Sequence, residues 1–278
     1  MNLKKKNKNF LNNFFEIKNL SKLFLILFFL LGITIHKDYG LSWDEPFQRA
    51  GGIANLVYIY EFFNIANFLS IFFDTVPQIP ENLSSLEDWK NENHLQRFYG
   101  VAFDLPAVIL EYFFFGINEN DQKIYEFRHL LTFIIFFIGI YFIKAQSKKL
   151  FSSNLLSLVA IVLLILSPRF FAEAFYNSKD IIFMSLLSIN IYFLIKILKK
   201  TNLKYLIIIS FITALSINLR VIGVLFYPLT LFVLIFANYC KIIDRNKLYK
   251  IALTYLITST FLTIIFFPYL WSNPIENF

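Results

Sequence analysis

Two adjacent carboxylates, Asp44 and Glu45, stand in the run Ser42-Trp43-Asp44-Glu45-Pro46. Such a pair suits acid/base chemistry, because each carboxylate raises the cost of ionising the other and so tunes it toward a working pKa. The same run fits a second pattern. Ser42 and Glu45 have the S-x-x-E spacing of a helix capping box, in which they would only start the next helix. Spacing alone leaves both readings open. Farther along, Ser167-Pro168-Arg169-Phe170-Phe171-Ala172-Glu173-Ala174-Phe175-Tyr176-Asn177-Ser178-Lys179-Asp180 packs two cations and two carboxylates into what reads as a short turn between apolar runs. Its Arg169 and Lys179 suit an anionic ligand, and equally suit lipid phosphates. Arg220 follows Asn218-Leu219 and separates two apolar runs with almost no loop. Its guanidinium must either reach the headgroups or turn into a polar cavity. Arg97, Arg128, His94 and His129 complete the inventory. A lone histidine near a helix end is more often a satisfied interfacial residue than a ligand, so spacing assigns no metal. A divalent cation stays open, since Asp44, Glu45, Asp180 and a histidine could converge in three dimensions.

The elements that must position these residues are membrane helices. Of the 278 residues 57% are hydrophobic and only 16% charged, with 36 Phe, too apolar for an ordinary soluble domain. The net charge of +7 does not point to nucleic acid, because the basic residues sit in short clusters between apolar segments and form no polar face. A single cysteine, Cys240, excludes an internal disulfide. Seven apolar runs are long enough, or nearly so, to cross a hydrocarbon core of about 30 Å. They cover approximately 20–35, 124–143, 150–166, 181–195, 205–219, 221–240 and 251–271. In lipid each must satisfy its own backbone polar groups, and none alternates with period two, so helices are expected and barrel strands are not. The first run has the length of a signal-peptide core, but His36-Lys37-Asp38-Tyr39 after it offers no small-x-small cleavage site; an uncleaved anchor is expected.

Orientation follows from the bias of Lys and Arg toward the cytoplasm. With the N-terminus inside, the cytoplasmic segments hold 17 of the 26 basic residues: Lys4, Lys5, Lys6, Lys8, Lys18, Lys22, Lys144, Lys148, Lys149, Lys196, Lys199, Lys200, Lys204, Lys241, Arg245, Lys247 and Lys250. All of the 19 acidic residues except Glu16 and Asp244 fall outside. The chain is then one membrane domain over 1–278, all-α and multi-pass, expected in a bacterial inner membrane, with a long extracytoplasmic loop over 37–123. Within that loop Gly52 to Phe73 and Phe98 to Gly116 are apolar but carry Asn55, Glu61, Asn64, Asn67, Asp104, Pro106 and Glu111. Those residues would be costly in lipid, so both stretches read as helices lying along the outer interface. A rival topology makes both of them spans and puts Asp74 to Arg97 in the cytoplasm.

In order and type these motifs resemble membrane glycosyltransferases of the GT-C type, in particular the protein-O-mannosyltransferase and aminoarabinose-transferase-like group, glycosyltransferase family 39. The residues that carry the resemblance are Asp44-Glu45 in the first external loop, Arg128-His129 at the start of the second span, the Ser-Pro-Arg segment ending in Asn177-Ser178-Lys179-Asp180, and Asn218-Leu219-Arg220 before Gly223. The resemblance implies transfer of a sugar from a polyprenyl-phosphate-sugar donor to an acceptor hydroxyl, of protein, lipid or glycan, outside the membrane. It implies Asp44 as catalytic base with Glu45 tuning it or positioning the acceptor. Arg169, Lys179, Arg220, Arg97 and Arg128 would then face the donor phosphate, with Asp180, Glu173 and His94 as positioning residues. The absence of a G-x-G-x-x-G or a P-loop agrees with a lipid donor in place of a nucleotide sugar. The group usually carries more spans, so this chain reads as a fragment or a truncated paralogue. His94-Leu95-Gln96-Arg97-Phe98-Tyr99-Gly100 stands where the group has a Lys-Pro-Pro or His-Pro element.

Two other classes use the same residues. A lipid-linked-sugar translocase would bind cargo with these charges and make no bond, but the spans carry almost no ionisable residue at mid-depth and show no paired broken helices in inverted repeats. A catalytically silent membrane partner would be active only beside a neighbouring protein.

Overall fold

Apolar runs without period-two alternation give helices along the whole chain. The structure is a computed structural model and describes residues 17–63, 100–116, 121–199 and 202–277. Among the described residues there are ten α-helices and no strand: α1 (Ile17–Ile35), α2 (Glu45–Phe63), α3 (Asp104–Phe115), α4 (Asp121–Phe151), α5 (Asn154–Ile165), α6 (Pro168–Tyr176), α7 (Asp180–Lys199), α8 (Leu203–Leu219), α9 (Phe226–Tyr239) and α10 (Arg245–Phe266). Five helical segments are long and apolar enough to cross a membrane: Ile17–Asp38, Gln122–Phe151, Asp180–Lys199, Val221–Tyr239 and Arg245–Phe266. The α5–α6 pair, bent by 67°, makes a sixth if it is one broken span. The shorter apolar helix α8 has 17 residues, and with it the seven apolar runs of the sequence are all helical.

Lipid is required by what the helices turn outward. Ile26, Leu27 and Leu30 on α1, Phe232, Ile235 and Phe236 on α9, and Leu253, Ile257 and Phe261 on α10 are all exposed. On α10 these lie four residues apart, so among the described residues one apolar face of the helix is uncovered, as a helix facing lipid requires.

Two differences from the expected elements bear on the site. α4 continues past Ile143 to Phe151, since no Gly or Pro interrupts Phe142 to Phe151. It stops where Ser152 takes φ 51° and Ser153 caps α5, its Oγ accepting from Leu156 N–H at 3.3 Å. The segment from Ser167 to Asp180, read as a turn, contains a helix. Pro168 sits in its first turn, where a missing N–H costs nothing, and α6 runs to Tyr176.

The core that sets the helix ends is aromatic. Phe133 of α4 stacks on Phe175 of α6 at 5.1 Å between centroids and meets Phe28 of α1 edge-on at 5.4 Å. Gly32 allows this approach, because a Cβ there would collide with Phe133 Cζ. Tyr39 stacks on Phe175 at 4.3 Å and so ties the strand of chain leading to Asp44 onto α6. At its far end α2 is fastened by Phe62 and Phe63, both packed edge-on against Trp271 beyond α10.

Candidate active site

Helix ends from distant parts of the chain meet around a cavity of about 490 Å³. It is lined by Ser42, Asp44, Phe47, Gln48 and Gly51 from the start of α2, by Gly100, Val101 and Asp104 before and at the start of α3, by Tyr176, Asn177, Lys179 and Asp180 between α6 and α7, and by Arg220 after α8. The opposite ends of α7 and α8 carry lysines, Lys196 and Lys199 ending α7 and Lys204 beginning α8, and α4, which supplies Arg128 at its start, carries Lys144 and ends on Lys148 and Lys149.

The two carboxylates of the first motif part company. Glu45 is buried, its Oε2 accepting the Ser42 backbone N–H at 2.7 Å and its Oε1 lying 2.8 Å from His129 Nε2. That is the reach-back half of a capping box; the other half is replaced by Glu45 N–H donating to the Ser42 carbonyl at 3.3 Å. Asp44 is exposed and lines the cavity, and its side chain has no ion pair or hydrogen bond among the described residues. Helix initiation and a free carboxylate thus fall to neighbouring positions.

Below the cavity lies an ion network that sequence reasoning did not assemble. Arg128 of α4 donates to Glu111 Oε1 at 2.6 Å and to Asp104 Oδ1, all three side chains being buried. Arg49 of α2 donates to Glu111 Oε2 at 2.9 Å. Lys179 donates to the Gly100 carbonyl at 3.3 Å, with its Nζ 3.7 Å from Asp104 Oδ2. Pairing answers the cost of burying Asp104 and Glu111 in a way that an interfacial position alone would not. Burial pushes the Asp104 carboxyl above the ordinary carboxylate range, against the pull of Arg128 and Lys179. Burial also pushes the Lys179 ammonium below the usual lysine range, with Asp104 opposing and Arg220 adding to the shift.

At the mouth Arg220 is paired with Asp180, both about half exposed. Asp180 N–H donates to Asn177 Oδ1 at 2.9 Å, which starts α7 and fixes the carboxylate beside the cavity. The α3 wall is held by Asn218, whose Oδ1 accepts from Val101 N–H at 2.9 Å while its amide donates to the Phe266 carbonyl.

Of the residues expected at the site, Asp44, Lys179, Asp180 and Arg220 line the cavity. Glu45 faces His129 instead, and Arg128 is held within the buried network by Asp104 and Glu111. Arg169, its side chain 83% exposed, pairs with Glu173 at 2.8 Å one turn on, and neither lines the cavity. His94 and Arg97 lie outside the described residues. Among the described residues no three of His, Cys, Asp and Glu are grouped so as to hold a metal ion.

An all-helical protein with lipid-facing apolar surfaces and a charged cavity at one end of its bundle is an integral membrane protein with a polar site. The family model for dolichyl-phosphate-mannose-protein mannosyltransferases matches residues 108–271, more than half of the chain, and the chain belongs to that family of GT-C type membrane glycosyltransferases. The matched range includes Arg128, Lys179, Asp180 and Arg220 and begins after Asp44. Curated proteins and solved structures yield no match.

Proposed function

We propose that this chain moves a sugar from a polyprenyl-phosphate-linked donor to an acceptor hydroxyl at the extracytoplasmic face, with Asp44 as base and Lys179 and Arg220 facing the donor phosphate. The observation that carries this reading is the charge arrangement of the cavity. Three carboxylates line it; Asp104 is engaged by Arg128 and Lys179, Asp180 by Arg220, and Asp44 by no cation among the described residues. A base needs a carboxylate free to take a proton, and Asp44 is the one so placed. In the proposed step the acceptor oxygen attacks the anomeric carbon as its proton passes to Asp44. The bond from that carbon to the phosphate oxygen breaks, its electron pair leaves with the polyprenyl phosphate, and the configuration inverts. Charge grows on the phosphate as the bond breaks, so cations already in place there lower the barrier. Placement outside is supported by the lysines at the opposite ends of α4, α7 and α8, which the positive-inside bias assigns to the cytoplasm.

The test is Asp44→Asn in well-expressed protein, with transfer of labelled sugar from polyprenyl phosphate measured in membranes. The expected loss is about 10²- to 10⁴-fold, the range for general-base removal. Undiminished transfer would remove Asp44 from the role.

A further inference from the structure

Two neighbouring glycines of α2 have opposite explanations. A Cβ on Gly52 would come within 2.7 Å of the Asp104 carbonyl, so Gly52 is required by the packing of α2 against α3. A Cβ on Gly51 would meet no described atom within 4 Å, and Gly51 has no positive φ. Glycine inside a helix costs stability relative to alanine, and here neither backbone geometry nor packing among the described residues asks for it. What lies in front of Gly51 is the cavity.

Gly51 belongs to a wall. Asp44, Gln48 and Gly51 all line the cavity and stand at i, i+4 and i+7, the spacing of one helical face. Gln48 bridges that wall to the opposite side, accepting a hydrogen bond at its Oε1 from Ser178 Oγ at 2.7 Å, and Ser178 immediately precedes Lys179. Its carboxamide thus belongs to the cavity wall that Asp44 also lines and is hydrogen-bonded to the turn that carries Lys179. In an in-line displacement the sugar ring lies between the phosphate and the incoming hydroxyl, hence between those same two groups.

The geometry points to the α2 wall as the sugar subsite, with Gln48 hydrogen-bonding a ring hydroxyl and Gly51, which puts no side chain where it lines the cavity, making room for the ring. This rests on the polyprenyl-phosphate donor reading above. It assigns discrimination among sugars to Gln48 and Gly51 and lipid-phosphate affinity to the other wall.

The test is equilibrium binding of two probes, undecaprenyl phosphate and undecaprenyl-phosphate-mannose, to the full chain in nanodiscs, each variant checked by thermal melting. Gly51→Leu is expected to weaken the mannose-bearing probe by about tenfold or more, the scale on which a filled pocket rejects a ligand, and to leave the bare lipid phosphate unchanged. Gly51→Ala is expected to melt no lower than the parent and to shift binding in the same direction by less. Gln48→Ala is expected to weaken the mannose-bearing probe by about tenfold, the scale of one net hydrogen bond, whereas Ser178→Ala, which removes only the bridge, should weaken it less. Equal loss for both probes, or no loss in Gly51→Leu and Gln48→Ala, overturns the subsite. If the parent binds neither probe, the donor reading fails and the subsite with it. If the parent binds both and the variants do not separate them, the subsite alone fails.

Discussion

Lys179 Nζ lies 3.7 Å from Asp104 Oδ2, and Asp104 is held from its other oxygen by Arg128. The cation proposed to face the donor phosphate is thus fixed from behind by a buried carboxylate, which is fixed by a buried guanidinium. The chain of charge runs from α4 through α3 to the turn before α7 and ends at the cavity.

That placement sets a pH dependence. Burial, the largest influence, lowers the Lys179 pKa and Arg220 lowers it further, while Asp104 resists. Lys179 therefore loses its proton at a lower pH than an unperturbed lysine, which titrates at about 10.4. Transfer is expected to fall on the alkaline side before that value, and Lys179→Arg is expected to retain activity there, because a guanidinium stays charged. A pH profile of transfer for parent and variant checks this; coincident alkaline limbs would refute it. The sign for stability is opposite. Between the depressed folded value and the ordinary unfolded one, the unfolded chain binds more protons, so this lysine's contribution to stability rises with pH through that window.

The buried network makes a second expectation. Arg128→Met would leave Asp104 and Glu111 without their main partner, and stranding buried charge in this way costs about 3–5 kcal/mol. Arg169→Ala removes a solvent-facing pair with Glu173, for which the exposed-pair range is about 0–1 kcal/mol. Melting of the two variants in the same detergent should show a large drop for the first and almost none for the second. Equal melting would mean that Arg128 does not carry the junction of α3 and α4.

How much of this could be read from residues alone follows from what is local. Each apolar run carries its own signal, so the membrane helices were legible, and so were the outlying charges Asp44, Lys179, Asp180 and Arg220, conspicuous because nothing in a hydrophobic segment explains them. The double role offered by Ser42-x-x-Glu45 was legible too, but the choice was not, since it depends on His129 lying 84 residues away. Asp104 and Glu111 were visible only as costly residues. Their partners, 24 and 17 residues downstream at Arg128, exist only once α3 packs on α4. Gln48 and Gly51 give no signal by type; they matter because of the helical face they share with Asp44. The ends of α4 and the presence of α6 were missed because hydropathy locates lipid-soluble runs, whereas Ser152, Ser153 and Pro168 decide where a helix stops or starts.

The α3 wall of the cavity depends on a close approach that has no side chain to spare. A Cβ at Gly100 would land on the Asn218 carbonyl, at the place where Val101 N–H meets Asn218 Oδ1 at 2.9 Å and Ala102 N–H meets Asn218 O at 3.4 Å. The two nearest atoms in the way are backbone, so they cannot rotate aside as a flexible side chain would. Gly100→Ala must therefore push the start of α3 away from the end of α8, at the overpacking cost of about 1–3 kcal/mol. The same shift moves the carbonyl that accepts from Lys179, so phosphate affinity should fall along with stability. Gly40, with no described atom within 4 Å of its Cβ position, is the control: alanine there should be neutral or should stabilise by about 0.4–1 kcal/mol through the unfolded chain. Melting and undecaprenyl-phosphate binding on both variants separate the cases. If Gly100→Ala melts and binds like the parent, the junction of Gly100 with Asn218 is not what shapes this wall.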